Sequence, residues 1–180
     1  TSAELMERIG DLAKATSAQI RGAVLWALQL GGRTDKDLPA IAKLVAPMLD
    51  DESPMVRRRS VYVVGNLNLA ELAPQLVKRC AHTEPPDMRL AAYVALGELG
   101  MPGVAGDVVA TIKREDDPRV LGAASNALVA SAPDAQVIAG LAPRASQLLA
   151  APEPRLREAG AEIAGLLGGA AVSLGFDRDG

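Results

Sequence analysis

Apolar residues recur along the chain with the 3.6-residue period of an α-helix, each time just after a turn rich in acidic residues or proline. In five segments one residue near the start of the pattern serves as a reference, and we call it the anchor. Counting from the anchor, apolar or small residues occupy positions −1, +3, +4, +6, +7 and +10, which together form one wide helix face. The anchors are Arg21, Arg57, Arg89, Leu121 and Arg157.

The anchors follow one another at intervals of 36, 32, 32 and 36 residues, so an internal repeat organises the sequence. Between them the pattern predicts a second set of helices, such as the one built on Ile41, Leu44 and Met48. One helix pair cannot bury its apolar face alone, whereas several stacked pairs share a continuous core. The sequence therefore predicts about ten helices in five antiparallel pairs.

The predicted array covers residues 1–169, with repeats at approximately 2–32, 33–68, 69–100, 101–131 and 132–169. The segment 170–180 departs from the pattern and ends in Asp-Arg-Asp-Gly, which predicts a frayed tail. This tail offers no polar capping helix, and the chain starts at Thr1 rather than Met. Both observations lead us to expect a piece of a longer protein.

Composition narrows the fold class further. Hydrophobic residues make up 49% of the 180 residues, but aromatic residues only 2%, so the core is built from aliphatic side chains that suit helices better than sheets. The single Cys80 excludes a disulfide framework. A net charge of −3 argues against a protein whose main task is gripping nucleic acid. We see no signal peptide or membrane span and expect a cytoplasmic protein.

The repeat resembles the HEAT repeat family, including its bacterial HEAT-like arrays. Three segments carry the resemblance: Asp51 to Arg57 with Pro54, Asp87-Met88-Arg89, and Pro154 to Arg157. The resemblance covers residues 2 to 168 and implies an all-α fold, a right-handed, curved α-solenoid of about five helix pairs. It also implies that the anchor helices line the concave surface.

The resemblance further implies a ladder in which turn aspartates pair with anchor arginines of neighbouring repeats. Its candidate members in this chain are Asp51, Arg57, Asp87, Arg89 and Asp117. Leu121 interrupts the ladder at the fourth repeat, because leucine cannot form an ion pair. We expect a structural role for these residues, worth about 0.2–1 kcal/mol for each partly exposed pair.

A candidate binding patch follows from the same register. If the apolar positions are buried, then positions +1, +2, +5 and +9 face outward, and Trp26 and Tyr62 both stand at +5. Aromatic and arginine side chains are enriched at binding hot spots. The alternative is that the two rings pack back as core edges beside solvated arginines. The patch comprises Trp26, Arg58, Arg59, Tyr62, Leu90 and Val94, whereas the same rows turn polar or acidic later, at Asn126, Glu158 and Glu162.

Candidate catalytic chemistry is sparse. His82 is the only histidine and lies two residues after Cys80. This Cys and His pair supplies too few ligands for a structural zinc site. We expect both residues to lie at the surface or to be partly buried. The sequence holds no phosphate-binding loop, dinucleotide fingerprint or zinc-protease motif. We therefore assign no catalytic residue, metal or cofactor.

These patterns predict a non-catalytic scaffold or adaptor that binds a protein segment, acidic or amphipathic in character, on its concave face. Two alternatives belong to other classes. Some DNA glycosylases use a HEAT-like array whose aromatic and arginine side chains grip the backbone, and certain bilin lyases are also HEAT-like. Neither nucleic-acid specificity nor membrane insertion is expected.

Overall fold

The computed structural model describes residues 2–31 and 34–173, and within them the chain is helical with no strand, which confirms the all-α prediction. Three short 3-10 turns, Ala46–Asp50, Ala70–Leu72 and Pro102–Val104, adjoin α-helices. The α-helices are α1 (Ser2–Leu12), α2 (Ala18–Leu30), α3 (Leu38–Val45), α4 (Pro54–Asn66), α5 (Ala73–Arg79), α6 (Pro86–Leu99), α7 (Ala105–Ile112), α8 (Pro118–Ala130), α9 (Ala135–Ala139), α10 (Ala142–Leu149) and α11 (Pro154–Ser173).

The five anchor helices α2, α4, α6, α8 and α11 all begin three residues before their anchor. Four of them begin with proline, which is tolerated there because the first turn of a helix needs no N–H donor. Helix α6 ends at Gly100, whose φ of 57° lies in the left-handed region that glycine adopts without strain. Helix α11 continues to Ser173, four residues into the predicted tail, and residues 174–180 of that tail lie outside the described residues.

The chain divides into two compact units, Thr1–Gln75 and Leu76–Gly180, a division that the sequence did not predict. In the first unit, α2 packs against α4, and α3 and its 3-10 extension pack against α4. In the second unit, α6 packs against α8, and α11 packs against α8, α9 and α10. The anchor helices thus pack on one another within each unit, as a repeat of helix pairs requires.

The register of the apolar stripe is confirmed in the middle anchor helices. All six predicted stripe positions are buried in α4, in α6 and in α8. The first and last anchor helices deviate: Ile20 and Ala27 of α2 and Ala161 of α11 are exposed. Each of these helices has an anchor helix packed on only one side, so part of its stripe has no covering neighbour.

Helices α10 and α11 approach each other closely at Gly160. A Cβ atom placed there would lie 2.8 Å from the Cβ of Leu148 and 2.8 Å from the backbone N of Leu149. Backbone atoms cannot move aside as a flexible side chain can, so this contact requires glycine. Gly165, one turn further along α11, faces open space.

We expect Gly160→Ala to lower the free energy of unfolding by about 1–3 kcal/mol, because the added methyl group forces α10 and α11 apart. The matched control Gly165→Ala is expected to stabilise the same helix by about 0.5–1 kcal/mol through helix propensity alone. Urea denaturation followed by circular dichroism measures both effects. Equal effects of the two substitutions would contradict the close approach.

Candidate functional site

The outward row at position +5 of the anchor helices is exposed along the chain. Trp26 is 61% exposed, and Tyr62 and Val94 are each 41% exposed. Asn126 and Glu162, at the same position in α8 and α11, are also exposed. The predicted register is therefore correct for this row, and both aromatic rings contact solvent rather than lying within the core.

Among the described residues, the aromatic side chain that belongs to the core is Tyr93, at position +4 of α6. Its side chain is fully buried, and its hydroxyl donates a hydrogen bond to Oγ1 of Thr111. Burial raises the pKa of this phenol. A shift of one position along the helix thus separates a structural tyrosine from an exposed one, Tyr62.

In the first unit, α2 and α4 bring Trp26, Arg58, Arg59 and Tyr62 onto packed neighbouring helices. Both arginines are exposed, and neither forms an ion pair with any described residue. The side chain of Arg59 reaches across to α2, since a Cβ at Gly22 would lie 2.9 Å from Arg59 Nη1. Gly22 is buried, so position +1 of α2 does not face outward as predicted.

In the second unit, α6 carries the remaining two patch residues. Val94 is exposed, whereas Leu90 is only partly exposed. Position +2 of this helix, Ala91, is buried, which contradicts the prediction that the +2 row faces outward throughout. In α2 the +1 position, Gly22, borders Met55 and Arg59 of α4, so its burial follows from how closely that helix packs.

The anchor arginines share one hydrogen-bond pattern. In all four, Nη1 donates to backbone carbonyl oxygens five or six residues earlier, in the turn before the helix. Arg57, for example, bonds the carbonyl oxygens of Asp51 at 2.7 Å and Glu52 at 3.1 Å. This bond fixes the turn to the helix and leaves Nε and Nη2 free for another acceptor.

Two anchor arginines use that free edge to bind a carboxylate of the next repeat. Nε of Arg21 donates to Oδ2 of Asp51, and Nη2 donates to Oδ1, both at 2.7 Å. Nε and Nη2 of Arg89 donate at 2.6 Å and 2.7 Å to Glu115, whose side chain is almost fully buried. The planar guanidinium matches a carboxylate in this bidentate geometry.

The predicted ladder is therefore partly wrong in its pairing. Asp51 pairs with Arg21 rather than with Arg57, whose Nη1 bonds carbonyl oxygens, and Arg89 pairs with Glu115 rather than with Asp117. The remaining two aspartates bind a different arginine, Arg119: Asp117 at 2.9 Å and Asp87 at 3.4 Å. Asp117 also accepts the backbone N–H of Arg119 and so caps α8.

The true pairing follows a signal that sequence analysis overlooked. Asp51 and Glu115 each stand six residues before the following anchor, but that position is Thr83 in the third repeat and Ala151 in the fifth. The acid therefore occurs only in alternate repeats. The carboxylate also accepts backbone N–H groups of its own turn, from Ser53 in one case and from Asp116 and Asp117 in the other.

The comparison with known families supports this account of the repeat. Residues 41–129 match the family described as HEAT repeats, a range that includes α4, α6 and α8. Residues 41–129 are HEAT repeats. None of the curated proteins matches the chain significantly in sequence.

Solved structures of repeat proteins share the fold. A designed armadillo repeat protein in complex with the peptide (KR)4 has a TM-score of 0.66 at 14% identity, covering 92% of this chain and 83% of the other. An engineered protein has a TM-score of 0.65 at 15% identity, covering 94% and 81%. A computationally designed armadillo repeat protein for modular peptide recognition has a TM-score of 0.62 at 14% identity, covering 91% and 82%. The fold of the HEAT repeats here is thus that of α-solenoid proteins.

Cys80 and His82 differ in their surroundings. Cys80 is fully buried, contrary to expectation, and its thiol donates to the carbonyl oxygen of Leu76, whereas His82 is exposed. Both line a cavity of about 410 Å³ together with Arg114. Burial raises the pKa of the thiol, which keeps it protonated and weakens it as a nucleophile.

Metal-binding clusters and membrane-spanning helices are both absent from the described residues. Among the described residues, no three His, Cys, Asp or Glu side chains come together as a potential metal site. Within residues 2–31 and 34–173, no helix combines the length and apolar character needed to cross a bilayer.

The Arg21–Asp51 pair predicts a dependence of stability on pH. The Arg21 guanidinium, through its hydrogen bonds, holds the pKa of Asp51 below its ordinary value. A lowered folded-state pKa stabilises the protein above the unfolded pKa of about 3.9, and this stability is lost as pH falls through the folded value. We expect Asp51→Asn to be less stable than wild type at pH 7, with the difference narrowing below pH of about 4.

Urea midpoints measured across that pH range test the prediction. The matched control is Glu52→Gln, because Glu52 bonds Arg21 at 3.2 Å from an exposed position, where an ion pair contributes little. A difference in urea midpoint between wild type and Asp51→Asn that stays constant down to a pH of about 2 would contradict the pairing.

Proposed function

We propose that the chain is a non-catalytic scaffold or adaptor that binds a segment of a partner protein along the exposed rows of its anchor helices. The repeat fold is typical of protein-binding scaffolds. Because the helices are ordered before the partner arrives, little conformational entropy of the scaffold is lost on binding. Within a unit, the partner segment lies along exposed side chains of packed anchor helices rather than in a closed pocket.

The observation that carries this proposal is the exposure of Trp26 and Tyr62 at equivalent positions of two packed helices. A large ring held in water on a rigid helix offers apolar area that a partner can desolvate. Such rings, flanked by arginine, have the composition of a binding hot spot. Leu90 and Val94 occupy the corresponding rows of α6, in the second unit.

The free arginines favour an acidic or amphipathic partner segment. Arg58 and Arg59 have no carboxylate partner among the described residues, so a partner that supplies one gains a charge-assisted hydrogen bond without breaking an existing ion pair. An amphipathic helix places an apolar stripe and acidic side chains on adjacent faces, which fits aromatic anchors beside arginines. The similar designed protein binds a basic peptide, (KR)4, so the proposed charge preference is opposite to that one.

Peptide binding by structural neighbours supports the mode of recognition, and the sign of the charge rests on this chain's own residues. A cytoplasmic location stays a prediction. No observation in the described part of the chain favours the glycosylase or bilin-lyase alternatives.

We expect Trp26→Ala and Tyr62→Ala each to weaken partner binding by about tenfold or more, with little loss of stability, because each removes exposed apolar area. The probe is a 15-residue acidic amphipathic peptide selected from a displayed library on the full chain and measured by calorimetry. The matched control is Leu5→Ala, since Leu5 is 60% exposed but lies on α1, outside the anchor helices.

Two results would overturn the proposal. Unchanged affinity in both ring variants would remove the patch from the binding site. Loss of helical content in either variant would show that the ring supports the fold and is not a free anchor.

A further inference from the structure

A polar cavity lies between two turns of the second unit. One wall is the turn that follows α5, with Cys80, His82 and Thr83. The other wall is the end of α7 and the turn after it, with Ala110 and Arg114. The volume of about 410 Å³ is that of a small-molecule site, and none of the lining residues belongs to the proposed patch.

Arg89 holds both walls of this cavity in place. Its Nη1 donates at 2.6 Å to the carbonyl oxygen of Glu84 in the first turn. Its Nε and Nη2 bind the carboxylate of Glu115, which lines the cavity from the second turn. Because one buried guanidinium fixes both turns, the cavity is formed before a ligand arrives, and little conformational entropy is lost on binding.

Three polar side chains of the cavity have no hydrogen bond or ion pair with any described residue, and each of them can donate a hydrogen bond. They are Arg114, His82 and Thr83, all exposed. Thr111 is different, because its hydroxyl accepts from Tyr93 and donates to a carbonyl oxygen of its own helix. The groups left for a ligand are therefore hydrogen-bond donors.

Arg114 also carries the unbalanced charge of the cavity. The acidic residues of the two turns are each bound to another arginine: Glu84 to Arg79, Glu115 to Arg89, Asp116 to Arg144 and Asp117 to Arg119. An anion that enters the cavity thus meets a guanidinium with no carboxylate partner and displaces no existing ion pair.

We propose that this cavity binds a small organic anion, a carboxylate or a phosphate ester with an apolar body. The anionic group accepts hydrogen bonds from Arg114, His82 and Thr83. Two parallel N–H groups of a guanidinium match two oxygens of either anionic group, which is why the class includes both. The apolar body packs on the alanines of the two walls, Ala81 and Ala110.

The test titrates the full chain with benzoate and with phenyl phosphate, and the tighter of the two identifies the preferred anionic group. His82 is the only histidine, so its imidazole protons report binding at the cavity in nuclear magnetic resonance spectra. We expect both anions to shift these protons and to saturate at millimolar concentration or below. Benzamide, which has the same ring without the charge, is expected to bind about tenfold more weakly or worse.

Variants of the protein separate the cavity from the surface around it. Arg114→Gln is expected to weaken anion binding about tenfold or more, and Arg114→Lys less, because lysine keeps the charge but not the bidentate geometry. The matched control Lys113→Gln removes the same charge one residue earlier, where Nζ approaches Gly140, and is expected to leave affinity unchanged. Ala110→Leu fills the cavity from an exposed position, leaves every charge in place and is expected to abolish binding.

Four results would overturn the proposal. Unchanged affinity in Arg114→Gln would remove the guanidinium from the site, and unchanged affinity in Ala110→Leu would place the anion outside the cavity. Equal affinity for benzamide and benzoate would show that charge is not recognised. Imidazole protons that do not shift at millimolar anion would show that the cavity stays empty.

Discussion

The structure depends on a fixed phase between each anchor residue and the apolar stripe of its helix. A helix of this chain has one face to bury, and it buries that face against its partner helix and against the helices of neighbouring repeats. The same phase that turns Val56 and Leu96 inward turns Trp26 and Tyr62 outward. Core and candidate surface are therefore two consequences of one register, and a slip of one residue in any anchor helix would exchange buried for exposed side chains.

The anchor arginine converts this phase into a connection between repeats. Its Nη1 binds the turn before its own helix, and in two repeats its other edge binds the acidic turn that begins the next anchor helix. Each guanidinium thus joins three segments through directional bonds, which packing of small aliphatic side chains does not supply. At Arg57 and Arg157 that other edge meets no carboxylate among the described residues.

The repeat, the helix starts and the +5 row could be read from the sequence, because they depend on spacing alone. Residue type alone does not give the pairing of the arginines, since Asp51, Asp87 and Asp117 are all turn aspartates; the distance to the following anchor, six residues for both Asp51 and Glu115, is what distinguishes the paired acids. The prediction that rows +1 and +2 face outward is wrong at Gly22 for a different reason, because the burial of Gly22 depends on how far Arg59 extends from the next helix. The close approach at Gly160 and the division within α5 likewise arise from packing that no local pattern records.

The most direct measurement of the phase compares one substitution at two sites of the same helix. Val56 is fully buried and Tyr62 is 41% exposed, both on α4. We expect Val56→Asp to abolish cooperative folding of this helix, because it buries an unpaired charge, and Tyr62→Asp to change the free energy of unfolding by less than about 1 kcal/mol. Hydrogen exchange of the α4 amides in both variants reports the outcome. Wild-type protection in Val56→Asp, or equal loss of protection in both variants, would contradict the register on which the account rests.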